Sequence, residues 1–389
     1  MGGTLKDAMI VEAVRTPIGR GSAEKGIYRD LHPATLLGGV FSAVLDRAGV
    51  DSAEVDNVIG GCVLQIGEQS GGITRSAWLQ EGLAQTAGAT TVDIRCGSGQ
   101  QAVNLAALRI AAGVDDVVVA GGVEHMGRVG FPVMTATRRE HGEPFTPALY
   151  DRYALRSQGE GAEMIAEQWG IARGEMDELA LRSHRLAAQA TADGSFAREI
   201  APVAVGDATH DRDQGIRTDT SLEALARLKP AYVDGGTVTA GNASQVSDGA
   251  AALLLMSAEK AQALGVAPRA RIVDQVVLGV DPITMLTGPI PATAKILKRN
   301  GLTIGDIDVT EINEAFAVVV AAWQRELEPD MDRVNPRGGA MALGHPLGST
   351  GARLITTLLH ELEDDDKELG LVTMCCGGGI GTGTLIQRV

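Results

Sequence analysis

Residues 93–122 read DIRCGSGQQAVNLAALRIAAGVDDVVVAGG, and the fold follows from this stretch. Val103, Ala106, Ala107, Ile110 and Ala111 share one face of a 3.6-residue period, so a helix is expected after Cys96. Gly113 stops it, and Val117–Ala120 is a continuous apolar strand closed by Gly121-Gly122. The order is therefore reactive side chain, small residues, helix, turn, buried strand. It returns near the C-terminus. His345 stands in GGAMALGHPLGSTGAR (338–353), Ile355, Leu359 and Leu362 mark a helical face, Glu363–Asp366 reads as a solvated acidic turn, and Leu371–Met374 as a strand. Sequence identity between the copies is weak, but the shared plan predicts two related βα layers. Alternating units of this kind predict an α/β protein with a mostly parallel sheet covered by helices.

Working outward, Ala8–Val14 reads as an opening strand and Val58–Val63 as a short β-rich run. From about 124 to 240 the chain is more polar and irregular, with helical stretches at Gly159–Gly170 and Glu175–Asp193. This segment reads as a lobe inserted into the first half, because the β pattern resumes at Ala251–Met256. Ala258–Pro268 is the natural boundary, giving an N-terminal domain over 1–265 and a C-terminal domain over 266–389.

The 389 residues are 44% hydrophobic and only 3% aromatic, with 50 glycines, a balance suited to Ala/Val/Leu-rich layers joined by tight turns. A net charge of -15 argues against nucleic acid or an anionic membrane as the main partner. Four cysteines, two of them adjacent, are too few for a disulfide framework and point to a reducing compartment. The opening MGGTLKDAMIVEAVRTP lacks the basic start and long apolar core of a signal peptide, and no run is long enough to span a bilayer. A cytoplasmic protein is expected.

Four glycine-rich patches carry candidate chemistry: DIRCGSGQQA around Cys96, EINEAFA around Asn313, the patch around His345, and MCCGGGIGTG around Cys375 and Cys376. Thiols, an imidazole and a carboxamide suit acyl transfer through a covalent cysteine intermediate. Cys96 directly precedes its helix, where the dipole favours a thiolate, and Gly97-Ser98-Gly99 are expected to leave the sulfur accessible. The opposing reading is a buried, inert thiol; Cys62, without such a setting, is read as a core residue. The loop around His345 should fix the backbone and leave the ring reachable as a general base. On spacing alone, Asn313 reads as a plain helix N-cap. Cys375 and Cys376 should point to opposite faces of their strand, so at most one serves the site. Metal-ligand spacings are missing, which disfavours zinc. The glycines at 379–383 leave too little chain after them for a dinucleotide fold.

Together these patches resemble the thiolase family nearly end to end, and GTVTAGNASQVSDGAA (236–251) is similar to its coenzyme A segment. The resemblance implies two βαβαβαββ halves in a five-layered α-β-α-β-α core, a loop lobe for coenzyme A, and a homodimer or homotetramer. It implies that Cys96 is the acylated nucleophile, His345 the base that activates it, and Cys375 the second catalytic cysteine, with Cys376 replacing an aliphatic residue. Asn313 would hold a water that joins His345 in binding an enolate oxygen, and the N–H groups of Cys96 and Gly377 would form a second oxyanion hole. Arg217, Ser244 and Tyr232 match coenzyme A-contacting positions. Coenzyme A is then a co-substrate, with no permanently bound cofactor.

One departure stands out. Acetoacetyl-CoA-type members carry His-Met-Gly in the lobe, where this chain reads Ser157-Gln158-Gly159. GGCVLQIGEQS (60–70), Gln100-Gln101 and DPITMLTGPIPAT (281–293) look more like actinobacterial degradative thiolases, including those acting on steroid side chains. The expected activity is degradative 3-ketoacyl-CoA thiolysis. The alternatives are a biosynthetic acetoacetyl-CoA thiolase, a carrier-dependent ketosynthase, and a non-catalytic acyl-CoA-binding subunit.

Overall fold

The computed structural model describes residues 5–389; the first four residues of the opening segment lie outside the described residues. The first half runs β1 (Ala8–Arg15), β2 (Gly19–Arg20), α1 (Pro33–Ala48), β3 (Asn57–Gly61), α2 (Ile73–Gln80), β4 (Gly88–Val92), α3 (Ser98–Ala111) and β5 (Val117–His125). The lobe follows, with α4 (Phe131–His141), α5 (Pro147–Arg152), α6 (Gln158–Trp169), α7 (Arg173–Asp193), β6 (Val203–Val205), β7 (Ala208–His210) and α8 (Leu222–Ala226). The chain returns through β8 (Ser247–Ser257) and α9 (Ala258–Leu264). The second half is β9 (Ala270–Gly279), α10 (Pro289–Asn300), β10 (Val309–Ile312), α11 (Ala317–Leu327), α12 (Ala340–Leu343), α13 (Thr350–Asp364), β11 (Leu369–Cys376) and β12 (Ile380–Arg388).

The strand order is β4-β3-β5-β8-β1 in one half and β10-β11-β12-β9 in the other. Counted from the start of each half, both place the second, fourth, fifth and first strands side by side. The third place in the second half is reduced to a parallel bridge between Thr310 and Val334. The halves join edge to edge where β1 pairs β9 at Met9–Arg271 and Ile10–Ala270.

The expectation of a mostly parallel sheet is corrected. β3 is parallel to β4 and β5, and β10 to β11, but β8 and β12 run antiparallel to both their neighbours. The cause is local. Gly377–Gly379 is a tight turn joining β11 to β12, and a tight turn returns the next strand antiparallel. Gly378 and Gly379 have φ of 83° and 77°, a conformation glycine reaches without strain. In the first half the whole lobe replaces this turn, leaving at the end of β5 and returning at β8.

The layering follows from alternation along doubly buried strands. Leu253 and Leu255 of β8 face a central core that also holds Val103, Ala106 and Ile110 of α3 and Leu354, Leu358 and Leu362 of α13. Their neighbours Ala252, Leu254 and Met256 face an outer core with α1 and α2. On the far side, Leu371 and Leu385 pack against Ala292 and Ile296 of α10. Five layers result, with α3 and α13 in the middle. The acidic run is not simply a turn: Glu363 and Asp364 complete α13 and bind Arg198, Arg269 and Arg337.

Candidate active site

Asp93–Ser98 folds back on itself ahead of α3. Ile94 N–H donates to Ser98 Oγ (3.0 Å), Ser98 Oγ donates to the Arg95 carbonyl (2.6 Å), and Arg95 N–H donates to Asp93 Oδ1 (2.7 Å). These bonds hold Arg95 at φ 59°, in the left-handed region that a non-glycine residue rarely occupies. The next residue is Cys96, so a strained residue fixes where its sulfur sits. The expected accessible thiolate is corrected on both counts. Cys96 is only 4% exposed, and burial pushes its thiol up to about 11. The N–H groups of Gly377 and of Cys96 itself oppose that rise, Glu124 adds to it, and Arg95 lowers it. Desolvation therefore outweighs the donors and the helix end.

The glycines beside Cys96 pack rather than open the site. A Cβ on Gly97 would lie 2.8 Å from Cys376 Sγ, and one on Gly99 would lie 2.7 Å from the Gly348 carbonyl oxygen. Gly351, in the first turn of α13, abuts Gln100 in the first turn of α3. Glycine brings these two helix starts together, and with them the Cys96 and His345 segments.

His345 is also buried, with 4% exposure, rather than openly reachable. Its backbone N–H is held by the Gln245 carbonyl and Ser247 Oγ, each at 3.2 Å. The Nδ1 atom lies 2.7 Å from Thr350 Oγ1, whose hydroxyl donates to the Pro346 carbonyl at 2.8 Å. Thr350 spends its proton on Pro346, so Nδ1–H donates to Thr350 and the Nε2 lone pair faces inward. Asn313 Nδ2 donates to that Nε2 at 3.4 Å. Burial, followed by the positive charge of Arg353, lowers the imidazole to about 3, so His345 is neutral at physiological pH.

Asn313 is not a helix cap. The cap position before α11 is Phe316, and Asn313 lies at the end of β10, its N–H bonded to the Thr373 carbonyl. Its Oδ1 is buried and without a hydrogen-bond partner among the described residues, beside the His345 ring. An unpaired acceptor there suits a water or a substrate donor.

Cys375 and Cys376 pair with Gly381 and Ile380 and take opposite faces of β11. Cys376 joins the central core under Gly97, while Cys375 joins the cluster of Met285, Phe316 and Met341 on the lobe side. Burial first, and the nearby Cys96 charge second, push both thiols up. Cys375 thus holds its proton on the side facing the lobe. Gly377 follows directly, with its N–H directed at the Cys96 sulfur.

The lobe residues sit further out. Tyr232 is about half exposed, its ring edge-on to Phe316 with centroids 5.9 Å apart, and Ser244 N–H donates to the Ala315 carbonyl at 2.9 Å. Both border the β10–α11 link that carries Asn313. Arg217 lies on an exposed segment, its N–H bonded to His184 Nδ1 at 3.1 Å. A cleft of about 720 Å³ lined by Met164, Ile171, Val233 and Ile283 opens on the far side of α6 and is bordered by none of the reactive residues.

Sequence reasoning missed two residues. Glu124 is fully buried and accepts from Val63 N, Leu64 N, Gln69 Nε2 and Gly348 N at 3.0, 3.1, 2.7 and 2.9 Å, tying the loop after β3 to the His345 loop. A carboxylate ending an otherwise apolar buried strand was the available signal. Gln158 is the second. Its Nε2 lies against Gly377, where a Cβ would be 2.6 Å away.

Comparison with known proteins agrees with this architecture. Residues 8–259 match the family described as "Thiolase, N-terminal domain", and residues 266–388 match "Thiolase, C-terminal domain". The chain is 45% identical over 397 residues to "Steroid 3-ketoacyl-CoA thiolase FadA6" of Mycobacterium tuberculosis, covering 100% of this chain and 96% of that protein. It is 43% identical to "3-ketoacyl-CoA thiolase" of Aeromonas salmonicida, over 99% and 100% of the two chains. The crystal structure of the Bacillus anthracis acetyl-CoA acetyltransferase superposes with a TM-score of 0.91 at 38% identity, over 100% of both chains. One reactive patch from the first half and three from the second, a shared strand order and these full-length matches lead to one conclusion: the chain belongs to the thiolase family.

Proposed function

We propose that this protein is a 3-ketoacyl-CoA thiolase working in the degradative direction, with coenzyme A as co-substrate. The observation that carries the reading is the meeting, at the carboxyl ends of β4, β10 and β11, of the Cys96 turn with Gly377, Cys375 and the Asn313–His345 pair. Full-length relatives bearing the 3-ketoacyl-CoA thiolase name support the substrate class.

In this reading His345 Nε2 takes the Cys96 proton as the sulfur attacks the 3-keto carbon. The buried neutral pair avoids a standing charge separation and ionises only with substrate in place. The bond between C2 and C3 then breaks, leaving an acyl group on Cys96 and the enolate of acetyl-CoA. Asn313 and His345 face the enolate oxygen, and Cys375 delivers its proton to the enolate carbon. The thiol of a second coenzyme A gives its proton to the Cys375 thiolate and attacks the acyl carbon; the shortened acyl-CoA forms, the Cys96 sulfur leaves as a thiolate, and His345 returns its proton to it. The Cys96 and Gly377 N–H groups face the acyl oxygen, where charge develops in both acyl-transfer steps. Tyr232, Ser244 and Arg217 are the candidate coenzyme A contacts, with the arginine suited to phosphate.

Run backwards, the same atoms condense two acyl-CoAs, so a biosynthetic acetoacetyl-CoA role needs no other residues. A ketosynthase reading is disfavoured because such enzymes typically use two histidines, whereas this chain offers one, His345, and a second cysteine, Cys375. Strand β4 ends the sheet as a partly exposed edge, which supports pairing with a second copy in a homodimer or homotetramer. A cytoplasmic location fits the reduced cysteines.

The test is thiolysis of 3-ketoacyl-CoAs from acetoacetyl to long-chain and steroid-derived, with intact-mass detection of the acyl adduct. Turnover with the adduct mapped to Cys96 supports the reading. A folded protein that is inert and unacylated across the panel refutes it.

A further inference from the structure

Gln158 is the first residue of α6, and the surroundings leave it little freedom. Ser157 caps the helix: its Oγ accepts from Glu160 N at 3.2 Å, and Glu160 Oε2 accepts from Ser157 N at 2.8 Å. Gly159 lies flat against the Tyr232 ring, and a Cβ on Gly161 would be 2.8 Å from the Thr284 carbonyl oxygen. The turn cannot rotate without a clash, so the direction of the Gln158 side chain is set by packing on both flanks.

That direction leads to the reacting centre. The Gln158 Nε2 occupies the space a side chain at 377 would fill, and the Gly377 N–H is the donor next to the Cys96 sulfur. The carboxamide is half-buried, and it shares none of the hydrogen bonds that pin Ser157 and Glu160. The Arg95 stem reaches the same spot, its Cγ 3.8 Å from where a Cβ on Gly377 would lie, and Cys375, Met285, Phe316 and Met341 form the adjoining cluster. The amide makes no hydrogen bond to the described residues, so its N–H groups are free to serve a bound acceptor.

We propose that Gln158 is a specificity-determining residue. Its carboxamide selects 3-ketoacyl-CoAs whose acyl chain carries an oxygen acceptor (hydroxyl, keto or carboxylate) close to the carbon that bonds to Cys96. The inference rests on the thiolase reading above and narrows its substrate class. A site with a fixed hydrogen-bonding group rejects the analogue that leaves that group unpaired, whereas an apolar site discriminates weakly against an added hydroxyl. The oxygenated chain pairs with Gln158; a plain alkyl chain strands it.

The experiment uses the full-length enzyme and a set of equal-length 3-ketoacyl-CoAs, one plain and the others bearing a single added hydroxyl at successive carbons beyond the keto group. The wild type should prefer at least one hydroxylated member. Gln158→Met should lower kcat/KM for that member by about tenfold or more while leaving the plain chain equal or better. Gln158→Leu, of similar size but with no hydrogen-bonding group, should show the same selective loss. Plain-chain turnover by each variant reports that it is folded and still a thiolase. Equal loss on every substrate would make Gln158 a general donor or a structural residue, and no change in the ratio would make it a bystander; either overturns the proposal. A wild type that cleaves no member would instead bring down the thiolase reading itself.

Discussion

The buried Cys96 thiol, at about 11, and the buried His345 imidazole, at about 3, both carry no charge at neutral pH. Alkylation of Cys96 in the free enzyme tests this directly. Because only the thiolate reacts, iodoacetamide labelling followed by intact mass should climb about tenfold per pH unit from neutrality to pH 10. It should show no inflection near 6.5, since His345 does not titrate there. A plateau already reached at pH 7 would mean a standing thiolate–imidazolium pair. Lowering of the His345 pKa also sets a sign for stability. Between about 6.5 and 3 the unfolded chain takes up a proton that folded His345 refuses, so stability falls as pH is lowered through that window. The two neighbouring cysteines separate cleanly. Cys375→Ala should still acylate Cys96 from an acyl-CoA but lose carbon–carbon cleavage by at least about a hundredfold, the scale of a lost general acid. Cys376→Ala should retain thiolysis within a few-fold and lose about 1 kcal/mol of stability from the contact under Gly97. Thiolysis kinetics and thermal melting of the two variants decide it.

Among the elements, the first turns of α3 and α13 carry the site, and their approach is set by glycine against backbone. Gly351→Ala would drive a methyl group into Gln100, and neither helix can yield without moving Cys96 or His345. We expect a cost of about 3 kcal/mol and near-complete loss of activity, read by melting temperature and thiolysis. Glu124→Gln replaces an acceptor of four N–H groups with an amide that turns its own N–H toward one of them. It should cost about 1–3 kcal/mol and lower kcat through the displaced His345 loop, with little change in KM. Local periodicity made α3, α13 and the buried strands readable, because Val103–Ala111 and Ile355–Leu362 alternate with the helical period and Val117–Ala120 is uniformly apolar. Asn313 was misread because its strand ends four residues before the α11 cap, a gap that residue type alone does not reveal. The accessibility assigned to Cys96 failed for a related reason. Small residues open a space only when nothing fills it, and here Cys376, Gly348 and Ala352 from the other half fill it.

At the scale of the whole molecule, the sequence revealed the duplication but not its handedness of pairing. The repeated plan around Cys96 and His345 announced two related halves, and motif resemblance supplied the roles of Cys375 and Gly377. Strand direction was lost because the reading weighed βα alternation and gave no weight to the tight Gly377–Gly379 turn, which reverses β12, or to its enlarged counterpart, the lobe. Glu124 was invisible for another reason, and Gln158 stood out only as a departure from His-Met-Gly: their neighbours are distant in sequence and come together only through tertiary packing.

The central α3–α13 contact has one further consequence. The proposed nucleophile, Cys96, rides on one half and its proposed base, His345, on the other, so in that reading chemistry monitors whether the halves are in register. Mild denaturant or heat that lets α3 and α13 slip by an ångström leaves every strand and most helices intact. Enzyme output should therefore fade at a lower denaturant concentration than far-ultraviolet ellipticity does. The protein works as a vernier, in which a small misalignment of two sturdy scales is read as silence.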